Sequence, residues 1–204
     1  MAEKVDLVRT LDAYRARRGE FRVVEVPRTR YLAIDGSGDP NTSERYRETL
    51  ETLYPVAYAA KFASKAAGRD YVVPPLEGLW WADDMAAFTS ARDKSRWHWT
   101  MLLMLPDWID AAAADAAIAR AGAKRPPRLG DLRVIELSEG TCVQTLHVGS
   151  FDDEAPVLAR LHDEVIPELG LRMTGRHHEI YLSDPRRTAP ARLRTILRQP
   201  VAPR

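Results

Sequence analysis

The chain has 204 residues, 45% of them hydrophobic, and its 30 basic and 29 acidic side chains give a formal net charge of +1. This length and composition allow one large domain or two small ones with a substantial core. The balanced charge excludes a field that would attract nucleic acid or an anionic membrane to the whole surface. The single cysteine, Cys142, excludes an internal disulfide and is typical of a reducing compartment. Because neither a secretory signal nor an apolar run of about 18 residues is visible, the sequence predicts a soluble, cytoplasmic protein.

An internal repeat organises the chain. The sequence FRVVEV at 21–26 matches LRVIEL at 132–137. A second predicted strand follows each copy, at 30–35 in the first and at 141–148 in the second. Each half is therefore predicted to open on a pair of strands.

A helix is predicted after each strand pair. The first begins near the sequence DPNTSER, and its apolar positions recur with helical spacing at Tyr46, Leu50, Leu53, Ala57 and Ala60. The second follows Ser150, where acidic residues suit a helix N-terminus, and Gly170 marks its predicted end. Pro55 and Pro167 interrupt these patterns, and each predicts a kink or an early end of its helix.

Two more strands recur after each helix. GLWWAD at 78–83 aligns with EIYLSD at 179–184. In the last strand of each half, Thr100 of WHWTMLL aligns with Thr195 of LRTILR. The separation between matching positions shrinks along the chain, so the second half has shorter connections than the first.

An Ala-rich segment joins the halves. The segment 106–124 predicts a linking helix, with Asp107 as a candidate N-cap and Gly122 near its end. The predicted boundaries are an N-terminal extension at 1–20 and one domain at 21–204, composed of repeat one at 21–105, the linking helix, and repeat two at 131–200. The segment 1–18 forms either a short helix or a loosely held terminus.

Two copies of a strand-helix-strand-strand module predict an α+β fold. In this fold the halves form a pseudo-twofold antiparallel sheet, with helices on one face and the other face free at the junction of the halves. Ligand pockets tend to form at such junctions, so we expect a pocket there.

A strand predicted at 175–182 aims a carboxylate in the same direction as two ring side chains. Successive strand residues point to opposite faces, so His177, Glu179 and Tyr181 share one face. A carboxylate in an apolar pocket loses solvation, and its pKa is expected to rise. The alternative is that Glu179 lies on a solvated face and pairs with a neighbouring arginine.

The repeat provides an internal comparison for this strand. Gly78 aligns with Glu179, and Trp80 aligns with Tyr181. The first half therefore contributes no charge, only an aromatic wall and room beside it. This asymmetry favours a pocket role for the glutamate.

Four tryptophans lie on two neighbouring predicted strands. Trp80 and Trp81 are adjacent and face opposite ways, and Trp80 is the predicted pocket residue because it aligns with the tyrosine of the second repeat. Trp97 and Trp99 share a face, and either the pocket or the core is open to them. Tyr71 is a candidate hydrogen-bond donor at the pocket mouth.

Several segments resemble the GyrI-like small-molecule-binding family. They are FRVVEVPRTRYLAIDGSGDP, VPPLEGLWW, RWHWTMLLMLPDWI and HHEIYLSDPRR with LRTILRQPV, which together span about residues 20–200. The resemblance implies the tandem fold, a central aromatic pocket, and a pocket glutamate that corresponds to Glu179. In multidrug-sensing transcription regulators the domain is fused to a helix-turn-helix, for which the segment before Phe21 is too short, so a stand-alone role is expected. Some stand-alone members hydrolyse the strained ring of cyclopropanoid DNA-alkylating compounds.

Two functions from different classes follow. In the first, the protein is a hydrolase: Glu179 deprotonates a water that attacks the strained ring, and Tyr181, Tyr71 or His177 stabilises charge on the conjugated oxygen. In the second, the same pocket only binds ligands, as a sequestering module. The hydrolase is favoured because no DNA-binding segment is present to report a binding event.

The expected partner is a small aromatic or cationic ligand, without nucleic acid or membrane, bound to a monomer or a homodimer. No cofactor is expected. A metal site is disfavoured because His177 and His178 diverge on their strand and cannot chelate one ion together. Cys142 is expected to be a buried, inert thiol.

Overall fold

The computed structural model describes residues 4–83 and 93–204. A nine-stranded antiparallel sheet forms its centre. The strands are β1 (Arg22–Val26), β2 (Thr29–Ser37), β3 (Leu76–Trp81), β4 (His98–Leu105), β5 (Arg133–Leu137), β6 (Gly140–Val148), β7 (Leu171–Met173), β8 (His177–Tyr181) and β9 (Arg194–Pro203).

Helices accompany the sheet in both halves. They are α1 (Leu7–Thr10), α2 (Glu44–Ala66), α3 (Ala111–Gly122), α4 (Ala155–Ala159) and α5 (Ile166–Glu168), and a π-helical turn at Arg160–Val165 joins the last two. None of the described helices is long and apolar enough to cross a membrane.

The strand order has an internal twofold symmetry. Across the sheet the strands run β1-β6-β9-β8-β3-β4-β2-β5, and β7 pairs separately with β9. When β1 to β4 are matched with β5, β6, β8 and β9 in turn, the order is the same from either edge. The central strands are β3 and β8, where Gly78 pairs directly with Glu179. The predicted pseudo-twofold antiparallel sheet is confirmed, and its axis passes between these two residues.

The first strand of each half crosses to the other half. Both predicted strands at the start of each half are present, but they do not pair with each other: β1 pairs with β6, and β5 pairs with β2. A tight hairpin requires connecting residues with positive φ. The connecting residues Pro27, Arg28, Ser138 and Glu139 all lack a positive φ. The exchange interlocks the two halves.

The registers correct the predicted alignment of the last strands by one residue. Trp80 pairs with Trp99 across β3 and β4, and Tyr181 pairs with Thr195 across β8 and β9. Because Trp80 corresponds to Tyr181, the counterpart of Thr195 is Trp99 and not Thr100. Matching the two threonines places one of them on the wrong face, since adjacent strand residues point in opposite directions.

The helix α2 begins and ends where its local sequence directs, but it does not stop at its proline. Ser43 caps the helix by accepting a hydrogen bond from the backbone N–H of Tyr46, at 3.3 Å. The helix continues through Pro55 to Ala66, so an early end at this proline is wrong. Burial of Leu53 and its neighbours against the sheet offsets the missing backbone donor. In the second half, the π-helical turn precedes Pro167 and the helix ends at Glu168.

The linking helix starts later than its composition predicts. α3 begins at Ala111, and its N-cap is Asp110, whose carboxylate accepts a hydrogen bond from the N–H of Ala113 at 2.8 Å. Asp107 is therefore not the cap. The end at Gly122 is confirmed.

The sheet face opposite α2 is covered by the N-terminal segment, and the prediction that this face is free is wrong. Of the predicted alternatives for the segment 1–18, the short helix is found as α1. Leu7, Leu11 and Tyr14 pack against apolar side chains of the central strands. Cys142 is buried near this segment, and burial raises its pKa to about 12, so it remains a thiol.

A buried network of charged side chains lies beneath this segment. His178 Nε2 is 2.9 Å from Glu77 Oε2, and His178 Nδ1 is 2.9 Å from Glu139 Oε1. Arg198 Nη1 lies 3.1 Å from Glu139 Oε2, and the phenol of Tyr14 donates a hydrogen bond to Glu77. Two carboxylates and two cationic groups thus compensate one another in the interior, which is the condition for burying charge.

Candidate functional site

A cavity of about 1940 Å³ lies on the α2 face of the sheet, where the two halves meet. Part of its wall is aromatic: the ring side chains that line it include Tyr46, Tyr54, Tyr58, Trp80, Trp97, Phe151 and Tyr181. Ligand pockets for single drug-sized molecules usually measure about 300–1000 Å³. The cavity is therefore large enough for a ligand of several rings.

Two buried carboxylates line the cavity, Glu154 and Glu179, and Glu179 is the one on the predicted strand. Glu179 on β8 lines the cavity and is 8% exposed. The indole N–H of Trp80 donates to the hydroxyl of Tyr181 at 2.8 Å, and that hydroxyl donates to Glu179 Oε2 at 2.8 Å. The other carboxylate oxygen, Oε1, lies 3.6 Å from His177 Nε2. The chain of hydrogen bonds orients the carboxylate and leaves Oε1 to face other groups.

Gly78 makes this chain of hydrogen bonds possible. A Cβ atom added at this position would lie 2.7 Å from Trp80 Nε1 and 3.1 Å from the Tyr181 hydroxyl oxygen. The first half therefore supplies the expected room beside the glutamate, and the indole of Trp80 fills it. A side chain at this position would separate the two hydrogen-bonding groups.

The electrostatics of the cavity keep its phenols protonated. Burial, reinforced by the charge of Glu179, raises the pKa of Tyr181 well above its ordinary value. The pKa of Tyr46 is raised for the same two reasons. At neutral pH both hydroxyls are hydrogen-bond donors. Burial, together with the neighbouring His177, lowers the pKa of His162 to about 3, so this imidazole is neutral.

The structure brings together four of the predicted site residues. Glu179, Tyr181, Trp80 and Trp97 all line the cavity, and the rings of Trp80 and Trp97 meet edge to face with centroids 5.7 Å apart. His177 is buried behind the wall, beside Glu179.

Trp99 and Tyr71 are placed elsewhere. Trp99 is 0% exposed and packs edge to face on Tyr46, with its ring over Gly36, so it belongs to the core beneath α2. Tyr71 is buried against Trp108 and is not among the residues that line the cavity, although Val72 beside it is. The rings of Trp99 and Tyr71 both belong to the hydrophobic core of the first half.

Several lining residues escape the sequence analysis, among them Tyr46, Tyr54, Phe151 and His162. Tyr46 has helical spacing that indicates only a core position, and Phe151 and His162 lie on a turn and a helix with no distinguishing pattern. Phe151 and His162 share proximity to β8: Phe151 contacts the ring of Tyr181, and His162 contacts that of His177. Only the packing of the second-half helix reveals this.

Comparison with known proteins identifies the family. Two crystal structures from Listeria innocua, one of an uncharacterized conserved protein and one of a hydrolase, are each 35% identical to this chain over 98% of it and 100% of their own length, with TM-scores of 0.87 and 0.83. The EcmrR C-terminal domain is 12% identical over 91% of this chain and 98% of its own, with a TM-score of 0.54, which shows the fold alone. Among curated proteins, no sequence matches the chain. The sequence pattern of the GyrI-like small molecule binding domain matches residues 19–202, and the chain belongs to that family.

Proposed function

We propose that the protein is a hydrolase that opens the strained ring of cyclopropanoid DNA-alkylating compounds. The observation that carries the proposal is the hydrogen-bonded chain Trp80–Tyr181–Glu179, which ends on a buried carboxylate inside an aromatic cavity. A hydrolase from Listeria innocua that is 35% identical over nearly the whole chain supports this class of activity.

Glu179 is the general base in this proposal. Its Oε2 accepts a hydrogen bond from the Tyr181 hydroxyl. Oε1 is therefore the oxygen that takes a proton from water. The water oxygen bonds to the strained carbon, the carbon–carbon bond of the ring breaks, and its electron pair moves to the conjugated carbonyl oxygen. That oxygen then takes up a proton, so that one water is added in total.

The position of Tyr181 changes the role expected for it. Its hydroxyl donates to Glu179 and accepts from Trp80, so it orients the base instead of facing the ligand. Tyr46 and Tyr54 on α2 line the cavity and carry protonated phenols. These two hydroxyls are the candidate donors to the conjugated oxygen of the ligand.

Ligand binding without chemistry is the second candidate. A carboxylate surrounded by aromatic rings attracts hydrophobic cations, since both the charge and the ring faces favour a positive group. The same contacts would serve a module that sequesters cationic aromatic ligands. The two functions differ in whether Glu179 moves a proton.

The test is the variant Glu179→Gln, which keeps the side-chain volume and removes the basicity. We expect the parent to convert a cyclopropanoid alkylator to its ring-opened product, and the variant to lose that activity by about 10²–10⁴-fold. Product is followed by chromatography, and binding by calorimetry on the same preparation. The matched control is Glu25→Gln on β1, which replaces an exposed strand glutamate. Full turnover in the Glu179 variant would end the general-base proposal. Parent protein that binds but releases only unchanged compound would assign the binding function.

A further inference from the structure

A second cavity of about 500 Å³ lies on the other side of the helical wall of the large one. The wall is the segment from the turn Phe151–Glu154 through α4 to the π-helical turn. Its residues divide between the two spaces: Phe151, Glu154, Leu158 and His162 line the large cavity, and Asp153, Val157 and Arg160 line the small one. One layer of chain therefore separates the two cavities.

A row of polar residues crosses the sheet beneath this wall. His147 of β6 pairs with Thr195 of β9, and Thr195 pairs with Tyr181 of β8. Directly paired residues share a sheet face, with Cβ atoms about 4.5–5.5 Å apart. His147 lines the small cavity and Tyr181 lines the large one. The row thus has one end at each cavity, and Thr195, which lines neither, lies between them.

The turn Phe151–Glu154 bridges the two ends of the row. At one end, His147 Nε2 lies 2.9 Å from the carbonyl oxygen of Ser150. At the other, the ring of Phe151 packs edge to face on Tyr181, with centroids 5.7 Å apart. Thr195 pairs with both His147 and Tyr181, and it is buried.

Two buried threonines lie in or beside this row: Thr195 belongs to it, and Thr145 pairs with Leu197, two residues further along the same strands. Thr195 and Thr145 are each 1% exposed, and neither hydroxyl has a hydrogen-bond partner within the described part of the chain. Thr145 lines the small cavity. Buried hydroxyls are costly unless they bond to protein or to an internal water. Their position favours contact with water.

The first half closes the same place with an apolar ring. Gly36 pairs with Trp99 across β2 and β4, in the position that His147 and Thr195 hold across β6 and β9. The indole of Trp99 lies so close over Gly36 that an added Cβ would be 2.0 Å from its Cη2 atom. The two halves share a backbone arrangement, but only the second half has a polar row where the first has an indole.

We propose that this row is a water path that supplies the nucleophilic water to Glu179 from the small cavity while a planar ligand fills the large one. The inference rests on the proposed hydrolysis. A ligand of several rings stacked against Trp80 and Trp97 would exclude solvent from the aromatic side, so water would reach the carboxylate from the polar side.

The principal test is Thr195→Val, which keeps the shape of the side chain and removes its hydroxyl. Ring opening at saturating substrate should fall by about tenfold, the equivalent of one hydrogen bond to the water. The ligand Kd should stay within about twofold, because the large cavity is unchanged. The melting temperature should change little, since valine keeps the shape of the side chain and no hydrogen bond between described protein groups is lost. Undiminished turnover, or an equal loss of binding, would overturn the water path.

The matched control is Thr100→Val on β4. Thr100 is as buried as Thr195, but its hydroxyl donates to Asp35 Oδ1 at 2.6 Å on the opposite face of the sheet. We expect this control to lose stability and to keep its turnover per folded molecule. A stronger variant combines His147→Gly with Thr195→Trp, which copies the closed pair of the first half. If this double variant folds, it should bind ligand but no longer catalyse ring opening. If it does not fold, the result for Thr195→Val decides whether the water path exists.

A measurement without substrate separates this inference from the proposed function. Magnetisation transfer between water and the methyl groups of Thr145 and Thr195, followed by NMR in the parent protein, should reveal long-lived internal water. Its absence would overturn the path whatever the activity. If the parent protein held internal water but opened no ring, the proposed hydrolase function would be refuted, and the delivery of water to Glu179 with it. The hydration of the polar row would be the only part that remains.

Discussion

Replacing Gly78 with alanine is the sharpest test of the hydrogen-bonded chain at the site. The new methyl carbon would lie 2.7 Å from Trp80 Nε1, whereas ordinary contact begins at 3.4 Å, so the indole must retreat by about 0.7 Å. Trp80 is 4% exposed, and the ring of Trp97 packs edge to face on it, so such a shift disturbs the neighbouring wall. The hydrogen bond from its N–H to the Tyr181 hydroxyl would be lost, and Glu179 would lose its fixed orientation.

The expected magnitudes follow from these contacts. Overpacking costs about 1–3 kcal/mol, and the lost hydrogen bond adds about 1 kcal/mol. Replacing a glycine stabilises by about 0.4–1 kcal/mol through the unfolded chain, where its backbone conformation allows alanine. We therefore expect a net loss of about 1–3 kcal/mol in the free energy of unfolding. Turnover should fall further, by about 10²-fold, because a shift approaching 1 Å misplaces the base.

The assay compares Gly78→Ala with Gly130→Ala. An added Cβ at Gly130 meets no atom within 4 Å, and this glycine has no positive φ, so the control should match the parent. Urea unfolding gives the stability change, and ring opening per folded molecule gives the catalytic change. If Gly78→Ala turned over substrate at the parental rate, the hydrogen-bonded chain would not be needed to orient Glu179.

Two further predictions concern the aromatic wall and the buried network. Trp97→Ala should weaken the binding of planar aromatic ligands by about 1–3 kcal/mol in calorimetry. Its stability cost should be smaller than that of Trp80→Ala, because Trp97 is only partly buried; equal stability costs would contradict this. The free energy of unfolding should also fall as the pH rises from 6.5 to 9, because of His178. Burial alone would lower the pKa of this imidazole, but the charge of Glu139 and hydrogen bonds to Glu139 and Glu77 raise it to about 9. The protonated imidazole thus stabilises the fold fully below pH 6.5, and this contribution, about 3 kcal/mol at about 1.4 kcal/mol for each pH unit, is lost as the pH rises through 9. Urea unfolding against pH measures it, and a slope that persisted unchanged in His178→Gln would refute the assignment.

Local patterns in the sequence determined the repeated modules and the strand that carries the site. The match between the two copies, the N-terminal signals of α2 and the alternation of His177, Glu179 and Tyr181 are all short-range features. Each follows from backbone geometry that repeats every two or about 3.6 residues. For the same reason, the alignment of Gly78 with Glu179 could be read from the sequence and proved to be a direct pair across the sheet.

The tertiary structure alone decided which partners those elements meet. Trp97 and Trp99 are two residues apart, so alternation places both on the same face of a strand. Trp97 precedes β4 and lines the cavity, whereas Trp99 lies within β4 and is buried beneath α2. Likewise, the crossing of β1 to β6 and the cover of the opposite sheet face by the N-terminal segment depend on contacts between distant parts of the chain. Alternation specifies the face on which a side chain lies, whereas long-range packing specifies what covers that face. For this reason the cavity, the burial of Trp99 and the polar row from His147 to Tyr181 appeared only in the folded molecule.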